Sequence, residues 1–367
     1  MKAAIWTADY VYTDRPRAGY ALVVDERQVV DLGPLEAIKK RYPSLPLVPK
    51  GRYLGPPLVN AHTHLDLGLL PTFKGPFDEF LNYVISHSAE RGLAAARQAL
   101  PEVKQRVVGS IATNDEELVS WLLTEADLEG VVYWEVLGLL PPAAEKELIE
   151  KTRRLVRRWK KLERPGGMRL GLSPHATYSL GPGLMKALVE LAATEGLPLQ
   201  IHAAESPAES EYFASRSGPI ADFYRSRGLP LDLHPTGLSP IEYLADLGVL
   251  DARPTLVHGV QVNEADVELM SSAGVTLVSC PRSNVNLEAG LPPYELYRKS
   301  GLPLALGTDS RASAESLDVR DELSFLEDRG LETDWLLKAA VTEGYRALER
   351  KQREVTTGTK LEQVESW

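Results

Sequence analysis

Histidines occupy positions in this 367-residue chain where they could bind a metal ion. The chain has only seven, and five of them follow short apolar runs that are typical of β-strands. The first run ends in His62-Thr63-His64. Residues two apart on a strand point to the same side, so both imidazoles can face one site. Two neutral imidazoles suit a divalent transition metal, but the pair alone is only suggestive.

Three later runs each end in a further group of the same chemistry. Residues 198–201 lead into His202, a candidate third ligand, and residues 255–257 lead into His258. Residues 304–308 lead into Asp309, which offers an anionic ligand or a base. Glu205, three residues after His202, could move a proton between a metal-activated water and a substrate. A lone histidine at a strand end is more often structural, so the whole set carries the prediction of a catalytic metal site with an open position for water.

The segments around these groups predict a (β/α)8 TIM barrel over residues 56–349. Short apolar runs alternate with stretches of helical period, such as residues 183–195 and 263–273, which favours βα units around a parallel sheet. Active sites of such barrels lie at the carboxyl ends of the strands. The eight predicted strands begin near Leu58, Val107, Gly130, Met168, Pro198, Thr255, Val275 and Pro303.

The chain before residue 56 has a different residue pattern, with short β-rich runs in place of alternating strand and helix patterns. Tyr20–Val24 and residues 28–32 are β-rich runs separated by three polar residues, which is a hairpin pattern. The tail, residues 355–367, could add a strand to the same unit. We therefore predict a small, β-sandwich-like accessory domain formed by residues 1–55 and 350–367.

Composition limits the classes of function. A net charge of −10 disfavours sequence-independent binding to the phosphate backbone of nucleic acid. The single cysteine, Cys280, provides neither an internal disulfide nor a cysteine metal site. No apolar stretch has the length of a membrane span, and the amino terminus lacks the pattern of a signal peptide. These features predict a cytoplasmic protein that acts on a small molecule.

The set of strand-end groups resembles the metal signature of the amidohydrolase superfamily, and residues 202–205 with 279–284 resemble its deaminase and chlorohydrolase branch. The resemblance implies one divalent ion, Zn²⁺ or Fe²⁺, held by His62, His64, His202 and Asp309. It also implies that Asp309 accepts a proton from the attacking water, that Glu205 carries a proton to a ring nitrogen, and that His258 stabilises the developing charge. A sister branch holds two metals through a lysine on strand four, but residues 168–175 contain no lysine.

Residues 60–68, 76–80 and 133–138 resemble the aminodeoxyfutalosine deaminases, which convert an adenine-bearing intermediate of menaquinone synthesis, 6-amino-6-deoxyfutalosine, to futalosine. Deaminases of adenosine derivatives, guanine, cytosine or triazines share the metal motifs and remain alternatives, as do cyclic amidases and chlorohydrolases. A non-catalytic metal-binding protein is a further alternative, and a homodimer is left open. Glu135 could also reach a metal. The candidate substrate contacts are Phe77, Glu135, His175, Arg282 and Arg311.

Overall fold

The computed structural model describes residues 3–103, 108–138 and 142–367. Its first part consists of short strands and one helix, α1 (Leu35–Arg41). The predicted hairpin is confirmed, because β4 (Tyr20–Val24) and β5 (Val29–Pro34) are antiparallel. Asp25 in the turn accepts hydrogen bonds from the backbone N–H groups of Arg27 (2.7 Å) and Gln28 (2.8 Å). The strands are β1 (Ala4–Thr7), β2 (Tyr10–Tyr12), β3 (Pro16–Ala18), β4 (Tyr20–Val24), β5 (Val29–Pro34), β6 (Leu47–Pro49) and β7 (Tyr53–Gly55).

Strands follow at each of the eight predicted places. The predicted start of the second strand, Val107, lies outside the described residues, and that strand is described from Val108 onward. The strands are β8 (Val59–His64), β9 (Val108–Thr113), β10 (Glu129–Val136), β11 (Met168–Pro174), β12 (Gln200–Ala203), β13 (Thr255–His258), β14 (Thr276–Ser279) and β15 (Leu304–Leu306), with a short β16 (Asp309–Ser310) directly after.

These strands form two parallel sheets, in the orders β11-β10-β9-β8-β16 and β12-β13-β14-β15. An isolated parallel bridge between Leu172 and Leu199 links β11 to the segment that enters β12. Between the segment that follows β15 and strand β8, the backbone N–H of Thr308 donates to the carbonyl of His62 at 3.0 Å. Every residue of β12, β13 and β14 is buried, as expected for parallel strands that are covered on both faces.

Helices lie between the strands. The predicted helical stretches at 183–195 and 263–273 are confirmed as α6 (Pro182–Glu195) and α10 (Glu264–Ala273). No helix among the described residues is both long and apolar enough to cross a bilayer. The helices are α2 (Phe77–Ser86), α3 (Leu93–Val103), α4 (Glu116–Thr124), α5 (Pro142–Trp159), α6 (Pro182–Glu195), α7 (Pro207–Ser215), α8 (Gly218–Ser226), α9 (Pro240–Asp246), α10 (Glu264–Ala273), α11 (Pro281–Asn286), α12 (Tyr294–Ser300), α13 (Val319–Glu327), α14 (Thr333–Lys338) and α15 (Gly344–Ala347).

The tail returns to the amino-terminal strands, as the sequence predicts. Strand β17 (Glu365–Ser366) pairs antiparallel with β7, which completes a four-stranded sheet in the order β17-β7-β2-β3. A second sheet has the order β5-β4-β1-β6. A separate apolar cluster, which includes Trp6, Leu54 and Val364, lies between strands of the two sheets and the tail. The first and last segments of the chain therefore share a small core.

Candidate active site

The polar groups predicted from the sequence meet at the carboxyl ends of the parallel strands. His62 and His64 lie at the end of β8, His202 on β12 and His258 at the end of β13. Asp309 begins β16 and pairs in register with Thr63. We call these four histidines and Asp309 the strand-end cluster. Four members of the cluster are at most 6% exposed and are therefore shielded from bulk water: His62, His202, His258 and Asp309.

A glycine allows the last strand to approach the first. A Cβ atom on Gly307 would lie 2.9 Å from the Cβ, N and O atoms of His62, closer than real side chains come. The absence of a side chain brings Asp309 beside β8. Ala204, His258 and Asp309 each have a positive φ, at 53°, 76° and 59°, which is uncommon for residues other than glycine. Such backbone strain often marks functional sites.

The distances within the cluster suit a single metal ion. The Nε2 atoms of His62 and His202 are 3.2 Å apart, and Asp309 Oδ1 lies 3.8 Å from His62 Nε2 and 3.7 Å from His64 Nε2. Three overlapping groups each place their ligand atoms within 4.8 Å of one another: His62, His202 and His258; His62, His64 and Asp309; His64, Glu135 and His202. Imidazole and carboxylate donors of this kind are typical of zinc and iron sites.

The hydrogen bonds around His62 and His202 test whether a cation fits. His62 Nδ1 lies 2.7 Å from the side-chain oxygen of Gln200, and His202 Nδ1 lies 2.6 Å from the carbonyl of His175. Both partners are acceptors, so each Nδ1 carries the proton and each Nε2 presents a lone pair. Burial lowers the pKa of His62 to about 3 and that of His202 well below its usual value, so both rings stay neutral. Two lone pairs at this separation repel unless a cation lies between them, and the donor set therefore fits a divalent metal.

Asp309 presents one oxygen to the histidines and the other to hydroxyl groups. Its Oδ2 accepts hydrogen bonds from Ser283 (2.6 Å) and Ser313 (2.8 Å). Burial alone would favour the neutral acid, but the charge of His64 and the hydrogen bond from Ser283 contribute to a pKa of about 2 for Asp309. The carboxylate is therefore ionised, with Oδ1 available as a ligand or a base.

Glu205 lies in the turn after β12, beside His258. Its Oε1 is 3.4 Å from His258 Nε2, and His258 Nδ1 in turn lies 2.9 Å from the side-chain oxygen of Asn284. Burial, together with the charges of Asp309 and Glu209, raises the pKa of Glu205 well above its usual value. The surroundings therefore favour the protonated carboxyl group, which is the form that can donate a proton to a neighbouring base.

The cluster forms one end of a cavity of about 720 Å³. Three of the five predicted substrate contacts, Phe77, Glu135 and His175, line this cavity. Glu135 Oε2 is 3.7 Å from His64 Nδ1, whereas its Oε1 is buried without a hydrogen-bond partner, and burial raises its pKa to about 7. Residues of α2 and α8 also line the cavity, and most of them are apolar: Phe80, Leu81, Val84, Ile85, Ile220 and Phe223.

The structure places the other two predicted contacts, Arg282 and Arg311, outside the cavity lining. The side chain of Arg282 donates to Glu322 Oε1 and to the carbonyl of Ser316, both at 2.8 Å. Arg311 donates to the carbonyl of Glu315. These placements give no support for a substrate contact at either residue, because each guanidinium group is already bound to protein acceptors.

Sequence reasoning assigned no role to several side chains that orient the cluster. Gln200 is fully buried, accepts a hydrogen bond from His62 and donates to the carbonyl of Ala61 at 3.1 Å. Its position two residues before His202 on one strand was the available signal, since alternate residues share a face. Asn284 and Ser283 of α11 and Ser313 of the loop after β16 hold His258 and Asp309, and local spacing offers no comparable rule for contacts between separate elements.

Comparison with known proteins identifies the family. The model of the amidohydrolase family matches residues 53–353, and the chain belongs to that family. The chain is 38% identical over 357 residues to the aminodeoxyfutalosine deaminase of Deinococcus radiodurans, covering 93% of this chain and 85% of that protein. It is 28% identical over 320 residues to a 5-methylthioadenosine/S-adenosylhomocysteine deaminase of Nitratidesulfovibrio vulgaris, covering 83% of this chain and 66% of that protein.

A solved structure of Helicobacter pylori aminofutalosine deaminase in complex with methylthio-coformycin shares the fold, with a TM-score of 0.78 and 24% sequence identity. The alignment covers 98% of this chain and 90% of that one. The family model and the Deinococcus radiodurans relative confirm the predicted resemblance to the aminodeoxyfutalosine deaminases and the prediction of a hydrolytic deaminase acting on a carbon–nitrogen bond. The family and the donor set indicate a divalent metal site.

Proposed function

We propose that this protein deaminates 6-amino-6-deoxyfutalosine to futalosine, a step of menaquinone synthesis, with one divalent metal ion. The observation that carries the reaction type is the position of the buried Glu205, whose Oε1 lies 3.4 Å from Nε2 of His258 in the strand-end cluster. The similarity to the Deinococcus radiodurans enzyme over most of both chains supports the choice of substrate.

The metal ligands in this proposal are His62, His64, His202 and Asp309. The ligand atoms of His62, His64 and Asp309 lie within 4.8 Å of one another, and His202 Nε2 lies 3.2 Å from His62 Nε2, which supports this set. Zn²⁺ or Fe²⁺ suits this mixture of donors. When bound, such an ion makes water nucleophilic at neutral pH. Gln200 holds the ring of His62, and the carbonyl of His175 holds the ring of His202.

Two residues perform the proton transfers that hydrolytic deamination requires. Asp309 is ionised and accepts a proton from the attacking water. Glu205 donates its proton to a ring nitrogen of the purine, which makes the carbon that bears the amino group electrophilic. Asp309 then returns the proton from water to the amino group, which leaves as ammonia. Glu205 takes up the proton of the added hydroxyl group, whose oxygen becomes the carbonyl oxygen of the product. His258, held by Asn284, stabilises the tetrahedral state.

The cavity is consistent with a substrate larger than a free base. Its volume of about 720 Å³ lies in the upper part of the range for small-molecule sites. We propose that the aminopurine lies at the strand-end cluster, near Glu135 and His175. The mainly apolar part between α2 and α8 then holds the group attached to the ribose, with Phe77 between the two parts.

The proposal extends to the architecture. The two parallel sheets form a closed (β/α)8 barrel over residues 56–349, and residues 1–55 with 350–367 form the accessory β domain. The bridge between Leu172 and Leu199 and the hydrogen bond from Thr308 to His62 support closure at the two seams. We further propose that the protein acts in the cytoplasm. A homodimer is compatible with an accessory domain of this kind.

Ammonia release by the purified, metal-loaded protein tests the function. The substrates are 6-amino-6-deoxyfutalosine, 5′-methylthioadenosine, adenosine and guanine, and the control is Glu205→Gln protein with verified metal content. We expect the highest kcat/KM with the first substrate and little release by the variant. No release from any of the four, in protein shown to hold its metal, would contradict the proposal.

The second candidate function is deamination of 5′-methylthioadenosine or S-adenosylhomocysteine. The 28% identity to the Nitratidesulfovibrio vulgaris enzyme favours it over guanine, cytosine or triazine deamination. It uses the same metal ligands and the same Glu205, so it differs only in the group held between α2 and α8. A higher kcat/KM for 5′-methylthioadenosine than for 6-amino-6-deoxyfutalosine would select it.

A further inference from the structure

Two helices of this protein begin with the same four-residue pattern, serine-proline-any-glutamate. They are α7, preceded by Ser206, and α9, preceded by Ser239. In each, the serine hydroxyl accepts a hydrogen bond from the backbone N–H of the glutamate, at 3.3 Å from Glu209 and 3.0 Å from Glu242. The Glu242 side chain also accepts from the backbone N–H of Ser239 at 2.6 Å, which completes an ordinary capping box.

The side chain of Glu209 reaches farther back along the chain. Its Oε2 accepts from the backbone N–H of Glu205 at 2.7 Å, and its Oε1 accepts from that of Ala204 at 3.1 Å. The hydroxyl of Thr177 also donates to Oε1. Glu209 is 1% exposed, so three hydrogen bonds converge on a carboxyl group that is shielded from water.

These contacts join two loops of the candidate active site. Thr177 lies two residues after His175, whose carbonyl accepts from the backbone N–H of His202 at 2.9 Å. Ala204, with a φ of 53°, makes the turn that directs Glu205 toward His258. The single side chain of Glu209 therefore fixes the backbone of Glu205 relative to the loop of His175.

We propose that Glu209 is a positioning residue of the deamination reaction: its carboxyl group holds the turn that keeps Glu205 beside His258. The inference rests on the proposed role of Glu205 in the reaction. Among the described residues, Glu209 belongs neither to the strand-end cluster nor to the cavity lining, but it binds the backbone of Glu205, which lines the cavity, and so it acts through Glu205.

The three donors explain why a carboxyl group is needed at this position. A glutamine side chain has one oxygen and one NH₂ group. With its oxygen toward Glu205, the NH₂ group faces the N–H of Ala204, and with its oxygen toward Ala204, the NH₂ group faces the N–H of Glu205. In either orientation one buried peptide N–H loses its acceptor and the turn shifts.

The pair Glu209→Gln and Glu242→Gln tests the inference, because both variants alter the same motif at a helix start. Displacement of a reacting group by about 1 Å can reduce a rate by about 100-fold. We therefore expect Glu209→Gln to lower kcat for 6-amino-6-deoxyfutalosine by about 10- to 100-fold, with KM within about threefold. Glu242→Gln leaves kcat unchanged. Equal kcat in the two variants would overturn the inference.

A double variant that combines Glu209→Gln with Glu205→Gln separates a positioning role of Glu209 from a general structural defect. If Glu209 acts through Glu205, the substitution Glu209→Gln causes no further loss of kcat in protein that already carries Glu205→Gln. A full, multiplicative loss in that background would show that Glu209 acts by another route. Metal content and thermal midpoint are recorded for each variant. If Glu209→Gln fails to fold, Thr177→Val removes only one of the three donors, and we expect a loss of about threefold in kcat that also vanishes in the Glu205→Gln background.

Amide hydrogen exchange provides a readout that does not depend on the substrate. In peptides that cover residues 203–206, we expect exchange at least about tenfold faster in Glu209→Gln than in the parent protein, since the acceptor that protects these amides is weakened. In Glu242→Gln the rate stays unchanged. Inactivity of the parent protein on every aminopurine would refute the proposed function alone, whereas unchanged exchange in Glu209→Gln would refute the link between Glu209 and this turn.

Discussion

Two groups of buried charged side chains in this protein differ in how completely their polar atoms are paired. In one, Arg282 and Glu322 form a bidentate contact: the arginine Nε donates to Oε1 at 2.8 Å and its backbone N–H donates to Oε2 at 3.1 Å. The carbonyl of Ser316 accepts a further hydrogen bond from the guanidinium group. We call Arg282 and Glu322 the arginine pair.

The strand-end cluster is incomplete by comparison. The Nε2 lone pairs of His62 and His202 face each other at 3.2 Å, and the neighbouring Glu135 has an oxygen without a hydrogen-bond partner. Buried polar groups are normally satisfied, so unpaired ones indicate a missing ion or ligand. The difference teaches that charge and burial alone do not identify an active site; what distinguishes the strand-end cluster is that several of its acceptors face one another around a cavity.

The largest effect is expected from removing the anionic group of the strand-end cluster. Asp309→Asn loses both a metal ligand and the acceptor of the water proton, so we expect kcat/KM to fall by about 10⁴-fold or more. Metal analysis and ammonia release check this result. Removal of the metal by a chelator, followed by its return, supplies the control, because activity should be lost and then recover. Retention of both metal and activity in Asp309→Asn would remove Asp309 from the site.

Glu205→Gln should have the next largest effect on the reaction. The variant keeps the shape of the side chain but cannot exchange a proton, and general acid–base catalysis contributes about 10²- to 10⁴-fold. We expect a loss in that range with unchanged metal content, measured by ammonia release and metal analysis. Near-normal turnover with metal bound would exclude the proton transfer assigned to this residue.

Disruption of the arginine pair should affect stability and leave the chemistry unchanged. Glu322→Gln removes the nearer countercharge of the largely buried Arg282 and leaves only Asp321, whose Oδ2 lies 3.8 Å from Nη1, so we expect a loss of about 2 kcal/mol. Urea unfolding measures this loss, and kcat per folded molecule should stay within about twofold because neither residue lines the cavity. A large fall in kcat at full folding would erase the contrast between the two groups.

The smallest effect concerns pH and the metal-free protein. Burial, together with the charge of His64, lowers the pKa of His175 to about 3, compared with about 6.5 in the unfolded chain. Between these values the unfolded state binds a proton that the folded state does not. The free energy of unfolding therefore falls as the pH drops below about 6.5, by about 1.4 kcal/mol per pH unit for this group. Urea unfolding at pH 7, 6 and 5 should show a shallower slope for His175→Gln, and equal slopes would contradict this assignment.

Much of the site could be predicted from local patterns. His62 and His64 share a face because side chains alternate along a strand. His202, His258 and Asp309 join them because the carboxyl ends of parallel strands meet at one edge. The strand pattern likewise predicted the amino-terminal hairpin and the return of the tail to β7. Each of these expectations depends on periodicity or on a general rule of topology.

The tertiary structure decided the contacts that depend on the paths of loops. Arg282 and Arg311 follow strand ends in the sequence, yet their side chains bind protein acceptors outside the cavity, whereas Glu209, which carried no prediction, holds the turn of Glu205. The residue types and strand periods of this chain determined which groups would meet and which chemistry they could perform. Their exact partners depended on tertiary packing, because a hydrogen bond between distant segments requires an atomic position that no local repeat specifies.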